Sequence, residues 1–169
     1  MSLSEQHLVD CDTYDNGCNG GWMDSTYNWI RLNGGLCLNA DYTYTGTENS
    51  CPATPCANPV AEIVPTSTTS VTADSITDLE AASAQSVVGV AVAVGGVFSS
   101  YQSGVFTGSC GSSINHGVVL VGYGTEGSTD YWTIKNSWGT GWGDGGYMKI
   151  LKDDSDLCML MDACSFPVI

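Results

Sequence analysis

Positive charge is almost missing from this sequence. Four Lys and Arg stand against 18 Asp and Glu, giving a formal net charge of -14 and an isoelectric point near 4.1. Grooves that track phosphates and surfaces that hold anionic lipid need clustered cations, so neither nucleic acid nor an anionic membrane is expected as a partner. Long apolar runs are missing too, so no segment is expected to insert into a bilayer. The first residues lack the pattern of a signal peptide, and any export signal is expected to have been removed or to lie upstream of Met1. No Asn-x-Ser/Thr sequon occurs, so glycosylation gives no hint of compartment.

What is present describes a folded protein. The 169 residues are 43% hydrophobic and 13% charged, enough for one good core or two small lobes and far from a disordered polyelectrolyte. Eight cysteines are too many for a reducing cytosol unless metal holds them, and the close pairs Cys11/Cys18 and Cys51/Cys56 do not make up a zinc site. Disulfides and a lysosomal, vacuolar or secreted location are therefore expected, with no metal and no cofactor. An acidic compartment also suits the charge, because protonation relieves self-repulsion.

Two stretches organise the chain. One is the run from Tyr131 to Tyr147, in which Asn136 ends an apolar, aromatic strand and Trp138 follows at once; the other is Ile114-Asn-His-Gly-Val118. If the two pair as neighbouring strands, Asn136 can hold the His116 ring in one tautomer while Trp138 shields that bond from water, which is the base and orienter of a nucleophilic site. A lone strand histidine is more often a structural residue, and an Asn after a strand is ordinary turn chemistry. A phosphate loop is set aside, because no Gly-Lys-Ser/Thr follows the glycines and no helix opens after them.

The segments Asn136-Ser137-Trp138-Gly139-Thr140-Gly141-Trp142-Gly143 and Asn115-His116-Gly117 resemble the asparagine and histidine motifs of papain-family, cathepsin L-like cysteine peptidases. Leu3-Ser-Glu-Gln-His-Leu-Val-Asp-Cys-Asp12 and Gly17-Cys-Asn-Gly-Gly21 are similar to further segments of that family, and the likeness runs on to Phe166-Pro167-Val168. The resemblance implies an α+β, papain-like two-lobe fold, with a helical, loop-rich lobe, an antiparallel β-barrel-like lobe and the cleft between them. It implies that His116 and Asn136 are catalytic. Gly20, Gly21, Asn115 and Gly117 would bind a polypeptide substrate, Gly20, Gly21 and Asn115 through its backbone. Met23 and Ala163 would face an apolar or aromatic substrate side chain, and Trp138 would flank the leaving group. It further implies disulfides Cys11–Cys51 and Cys110–Cys158; Cys37 and Cys56 stand outside the family pattern and are expected to pair with each other.

In chain order, Ser4 predicts the N-cap of a short helix over residues 5–10, on which His7 reads as solvated. Residues 11–21 are turn formers. Apolar positions 22, 23, 27, 29 and 30 predict a helix ended by Gly34-Gly35, and the loop-rich stretch from Leu36 to Val60 needs cross-links more than burial. Residues 66–73 read as a Ser/Thr-rich connector, dividing a lobe at 1–65 from a β-rich lobe at 66–169. Ser75 predicts a cap for a helix over 76–85, and strands are expected at 87–94, 114–123, 131–135 and 147–151.

One family element is expected but not found: the Cys-Gly-Ser-Cys-Trp type motif on a buried helix, with its preceding Gln, normally lies just before the Ser-Glu-Gln motif that here begins at Ser4. The sequence thus reads as N-terminally truncated, supplying His and Asn but not the nucleophile. Its first lobe would have an apolar trough that another segment or another chain fills, and Cys18 and Cys164 would reach into that segment or be re-paired. Two functions follow: the major part of a cysteine endopeptidase, inactive alone, or a catalytically inactive relative acting as a structural or binding subunit.

Overall fold

Ser4 begins the first helix as its composition suggests. The computed structural model describes residues 1–169, and in it the Ser4 hydroxyl accepts the His7 N–H at 3.0 Å and caps α1 (Glu5–Cys11). α2 (Met23–Asn33) ends on Gly34, whose φ of 78° is the left-handed conformation that glycine supplies most cheaply. α3 (Ile76–Ser83) is capped by Ser75 through the Asp78 N–H at 3.2 Å. The strands are β1 (Ser67–Ser70), β2 (Val88–Val92), β3 (Val105–Phe106), β4 (His116–Glu126), β5 (Thr129–Lys135), β6 (Tyr147–Leu151) and β7 (Cys164–Val168). The chain divides into two compact units, Met1–Thr69 with Pro167–Ile169, and Ser70–Phe166.

The first unit holds α1, α2 and the long loop that follows. Its buried apolar cluster is Cys11, Trp29, Ile30 and Leu36, with Leu3, Leu8 and Ile63 packed against it. Four side chains at about 1.5–3 kcal/mol each make a modest core for a segment of this length. The Cys11–Cys51 and Cys37–Cys56 disulfides each add about 3–4 kcal/mol by restricting the unfolded chain. Polar anchors complete the unit. Buried Gln6 donates to Asp10 Oδ1 and to the Thr47 carbonyl and accepts the Thr45 N–H, while Asp10 also accepts the Tyr42 hydroxyl and the Asn49 N–H. The Ser-Glu-Gln-x-Leu-x-Asp motif is thus a clamp on the loop over residues 42–51. His7 is not solvated: it is 2% exposed, because its ring accepts the Cys37 N–H at 3.2 Å and packs against Trp29 and Tyr42.

In the second unit the strand order is β7-β2-β4-β5-β6-β3, with β1 added beyond β7 where the chain passes between the units. β4 and β5 are antiparallel neighbours, with an irregularity between Leu120 and Gly122, and β3 joins β6 in parallel rather than antiparallel fashion. β2 is buried along all five residues, as expected for a central strand. Alternation turns Val118 and Leu120, Trp132 and Ile134, and Met148 and Ile150 into the core, which Leu79 and Ala82 of α3 cover. Residues 67–70, read from composition as part of a connector, form the edge strand β1. Their side chains are polar and mostly exposed, so no apolar alternation announces them. The Cys110–Cys158 disulfide lies in this unit. No helix is long and apolar enough to cross a membrane.

Candidate active site

The pairing of β4 with β5 brings the start of one strand beside the end of the other. His116 opens β4 and Asn136 follows β5, and their side chains meet with His116 Nε2 2.8 Å from Asn136 Oδ1. The same oxygen accepts the Ser137 N–H at 2.8 Å. A backbone N–H can only donate, so the atom facing His116 is the amide oxygen and the ring must present a hydrogen to it. The neutral imidazole is therefore fixed with its proton on Nε2 and a lone pair on Nδ1, and Nδ1 has no hydrogen bond within the chain. A histidine held in this tautomer can take a proton from a nucleophile and return it to a leaving group.

Burial sharpens the arrangement. Asn136 is 7% exposed, its N–H bonds the Gly146 carbonyl at 3.0 Å, and its Nδ2 is buried without a partner. Such an orphan donor costs about 1–3 kcal/mol, and the amide keeps that orientation because both bonds to Oδ1 require it. Trp138 stacks on the imidazole, with centroids 5.0 Å apart and planes at 29°, and its own indole is braced edge-on by Trp142 at 5.2 Å and by Phe98 at 6.1 Å. Trp142 is in turn pinned by its Nε1–H on the Ser99 carbonyl at 3.0 Å and by stacking on fully buried Phe98. Sequence reasoning did not single out Phe98, which has no motif around it and is recognisable only through this aromatic stack.

Asn115, beside the histidine, spends its N–H on the Val92 carbonyl and its side-chain amide on both peptide groups of Val94. Its carbonyl is the backbone group that remains for another molecule. Gly117 pairs with Ala91 across the sheet. Ala163 takes the Ala91 N–H on its carbonyl at 3.0 Å. These residues belong to the second unit.

Gly20, Gly21 and Met23 belong to the first unit. The peptide groups of Gly20 are used in a turn, its N–H on the Gly17 carbonyl and its carbonyl accepting the Asn16 N–H. Gly21 is exposed and its own N–H and carbonyl are unbonded. A Cβ there would stand 2.4 Å from Asp15 Cγ, so only glycine fits over that carboxylate. Met23 opens α2. Asp15, read from sequence only as a turn former, ties this turn to α2: it accepts the Trp22 N–H and the Ser25 and Thr26 hydroxyls.

Six of the eight cysteines are paired, leaving Cys18 exposed and Cys164 buried. Cys164 does not reach outward: it sits in β7, its thiol on the Leu160 carbonyl at 3.1 Å, and burial together with Asp156 and Asp162 pushes it up to about 12. It stays a neutral thiol. Asp74, Asp156 and Asp162 form a separate acidic cluster with oxygens within 4.8 Å of one another.

Comparison with known proteins places the constellation in context. Residues 1–168 match the model of the papain family of cysteine proteases. Over 175 residues the chain is 45% identical to cysteine proteinase EP-B 1 of Hordeum vulgare, covering 99% of this chain and 47% of that protein. It is 44% identical to probable cysteine protease RD21C of Arabidopsis thaliana, covering 99% and 38% respectively. Among solved structures it superimposes on the Carica candamarcensis cysteine protease CMS1MS2, determined in complex with E-64, with a TM-score of 0.90 at 35% identity over 99% of this chain and 78% of that one. The chain spans about half or less of the length of such curated relatives, from 37% to 52%. On sequence and fold together, this chain belongs to the papain family of cysteine proteases.

Proposed function

We infer that the chain supplies the histidine and asparagine of a papain-type cysteine endopeptidase. The observation that carries this reading is the His116 Nε2 to Asn136 Oδ1 bond, fixed in direction by the Ser137 N–H and leaving Nδ1 open. In this reading a cysteine thiol gives its proton to His116 Nδ1 and the thiolate attacks the scissile carbonyl. The imidazolium then protonates the departing amine, and water, deprotonated by the same ring, hydrolyses the acyl-thioester. Asn136 keeps the ring turned to both tasks. The substrate is an extended polypeptide; the free N–H and carbonyl of Gly21 in the first unit, and the carbonyl of Asn115 in the second, are each available to its backbone. By position in the family pattern, Met23 and Ala163 favour an apolar or aromatic side chain.

The nucleophile in this reading lies outside Met1–Ile169. Six cysteines are bonded and Cys164 is buried and neutral, while Cys18 sits in a turn where its N–H meets the Glu48 carboxylate and no cation is among its partners. The segment that brings the nucleophile would also complete the small core of the helical lobe, residues 1–65 in this reading, with the β-rich lobe following over 66–169. The disulfides and the acidic composition suit a vacuolar, lysosomal or secreted enzyme.

The test is intact mass of the purified protein before and after reduction, with an irreversible thiol-directed label for papain-like enzymes. A label on a cysteine outside these 169 residues, carried by the same protein or by a peptide released on reduction, supports the reading. Absence of any labelled cysteine, in protein that binds but does not cleave peptides, would establish the inactive binding relative instead.

A further inference from the structure

The Cys110–Cys158 disulfide stands at one end of a short path of bonds whose other end is His116. Ala93, fully buried just after β2, is held from both sides of it: its N–H donates to the Cys158 carbonyl at 2.8 Å, and its carbonyl accepts the N–H of Gly111, the neighbour of Cys110, at 3.0 Å. Both peptide groups of one residue are thus fixed by the two ends of the cross-link. Val94 comes next, and the Asn115 side chain takes both of its peptide groups: the Val94 N–H donates to Oδ1 at 2.8 Å and the Val94 carbonyl accepts from Nδ2 at 3.0 Å. Asn115 also donates its N–H to the Val92 carbonyl at 3.1 Å and leads directly into His116, which pairs with Val92 across the sheet.

This path has little slack. A Cβ on Gly95 would stand 2.7 Å from the Gly111 Cα, and one on Gly111 would stand 2.8 Å from the Val94 carbonyl oxygen, so the two stretches pack backbone on backbone. The Val97 N–H on the Ser109 carbonyl, at 3.1 Å, ties them once more. Cys158 has a φ of 66°, a left-handed conformation uncommon for a residue with a side chain. Such a conformation persists only where its surroundings hold it. Here the holds are the side chain's bond to Cys110 and the carbonyl's bond to Ala93, so the cross-link helps decide where that carbonyl points. Every group in the path belongs to Ser70–Phe166 and has its partner there.

We propose that the Cys110–Cys158 disulfide is a positioning device for His116, acting through Ala93, Val94 and Asn115. A cross-link that only restrains the unfolded chain changes stability and leaves the folded geometry as it was. This one also sets the folded geometry. Without it Ala93 loses its two fixed partners, Val94 shifts, and the Asn115 amide no longer seats the first residue of β4 squarely against Asn136. The consequence for catalysis rests on the reading that His116 is the base of a peptidase; the mechanical coupling does not.

The experiment compares Cys110→Ala/Cys158→Ala in the full-length protein with Cys37→Ala/Cys56→Ala, which removes a disulfide from the other unit. Thermal unfolding, the NMR signal of the His116 Nε2–H proton, and kcat and KM on one peptide substrate are measured for each. Both pairs are expected to lower the unfolding temperature. Only the Cys110/Cys158 pair is expected to shift the His116 signal, to speed the exchange of that proton, and to lower kcat/KM about tenfold. Gly111→Ala keeps the disulfide but presses a methyl on the Val94 carbonyl, and it should shift the same signal; it decides if the cysteine pair does not fold. A His116 signal left unmoved in the folded Cys110/Cys158 variant or in Gly111→Ala overturns the proposal, even where activity falls, and so does an equal shift in the Cys37/Cys56 variant. If the signal moves as expected and kcat/KM does not, the coupling stands and the catalytic reading of His116 falls.

Discussion

The indole of Trp138 covers the imidazole of His116, their centroids 5.0 Å apart, directly beside the bond from His116 Nε2 to Asn136 Oδ1. The stack and the bond act on the same ring from different directions. One limits its tilt and excludes water, and the other fixes its rotation and tautomer.

Removing either hold has a distinct expected result. Asn136→Ala should lower kcat of the complete enzyme about a hundredfold with little change in KM, since a misdirected base loses orientation rather than binding. His116→Ala should cost at least about a hundredfold as well, and the double variant should be no worse than the histidine variant alone, because the asparagine acts only through the ring. Steady-state kinetics on one peptide substrate checks both. Additive losses would show that Asn136 works independently of His116.

Gly21→Ala should act on substrate binding. The new methyl would displace the Asp15 carboxylate from the Trp22 N–H and the Ser25 hydroxyl. An increase in KM of about tenfold is expected, together with a lower unfolding temperature of the first unit. Unchanged KM in a folded variant would remove Gly21 from the binding surface.

His7 makes the first unit sensitive to acid. Burial lowers its titration below the ordinary 6.5, opposed in part by the Asp10 charge. The folded state therefore prefers the neutral ring, which accepts the Cys37 N–H. Its stabilisation is complete above about 6.5 and fades as pH falls below that value towards the lowered one, because the unfolded chain binds the proton first. Asp10, pushed up by burial but held down overall by its hydrogen bonds, adds loss in the same direction at lower pH, whereas Asp12 opposes it. Urea midpoints between pH 7 and 5 should fall more steeply for the parent protein than for His7→Gln; parallel slopes would dismiss the histidine as the cause.

Lys152 should matter more than a surface lysine. Its side chain is 10% exposed, its ammonium bonds Glu80 of α3, and it lies 4.8 Å from the Tyr123 ring centre and 5.3 Å from that of Trp132. Lys152→Met keeps the stem but removes the tie between α3 and the sheet, and should cost about 2 kcal/mol. Calorimetric unfolding of this variant and of Glu80→Gln measures it.

The sequence made some of this plain and hid the rest for identifiable reasons. His116, Asn136 and Trp138 stand in short motifs whose strand context could be read locally, and Ser4, Gly34 and Ser75 act through neighbours three or four residues away. His7 was misread because what buries it, Cys37, Trp29 and Tyr42, is 22 to 35 positions distant and a seven-residue helix shows too little periodicity. Asp15 looked like a turn residue; that it gathers the Trp22 N–H and the Ser25 and Thr26 hydroxyls depends on where α2 begins. β1 escaped notice because its pairing is made by backbone groups that any residue carries.

The scarcity of cations has a last consequence once their positions are known. Lys149 is drawn to Glu126 and lies over Tyr131, and Lys152 is enclosed by Glu80, Tyr123 and Trp132. That leaves Arg31, within α2, and Lys135, the last residue of β5, as the basic side chains without an acidic partner. A digestive enzyme that cuts after Lys or Arg needs such a residue in a flexible, extended segment. Within residues 1–169, Arg31, Lys135 and Lys149 stand in regular elements and Lys152, at the head of the stretch after β6, is nearly buried, so tryptic cleavage of this part is expected to wait for unfolding.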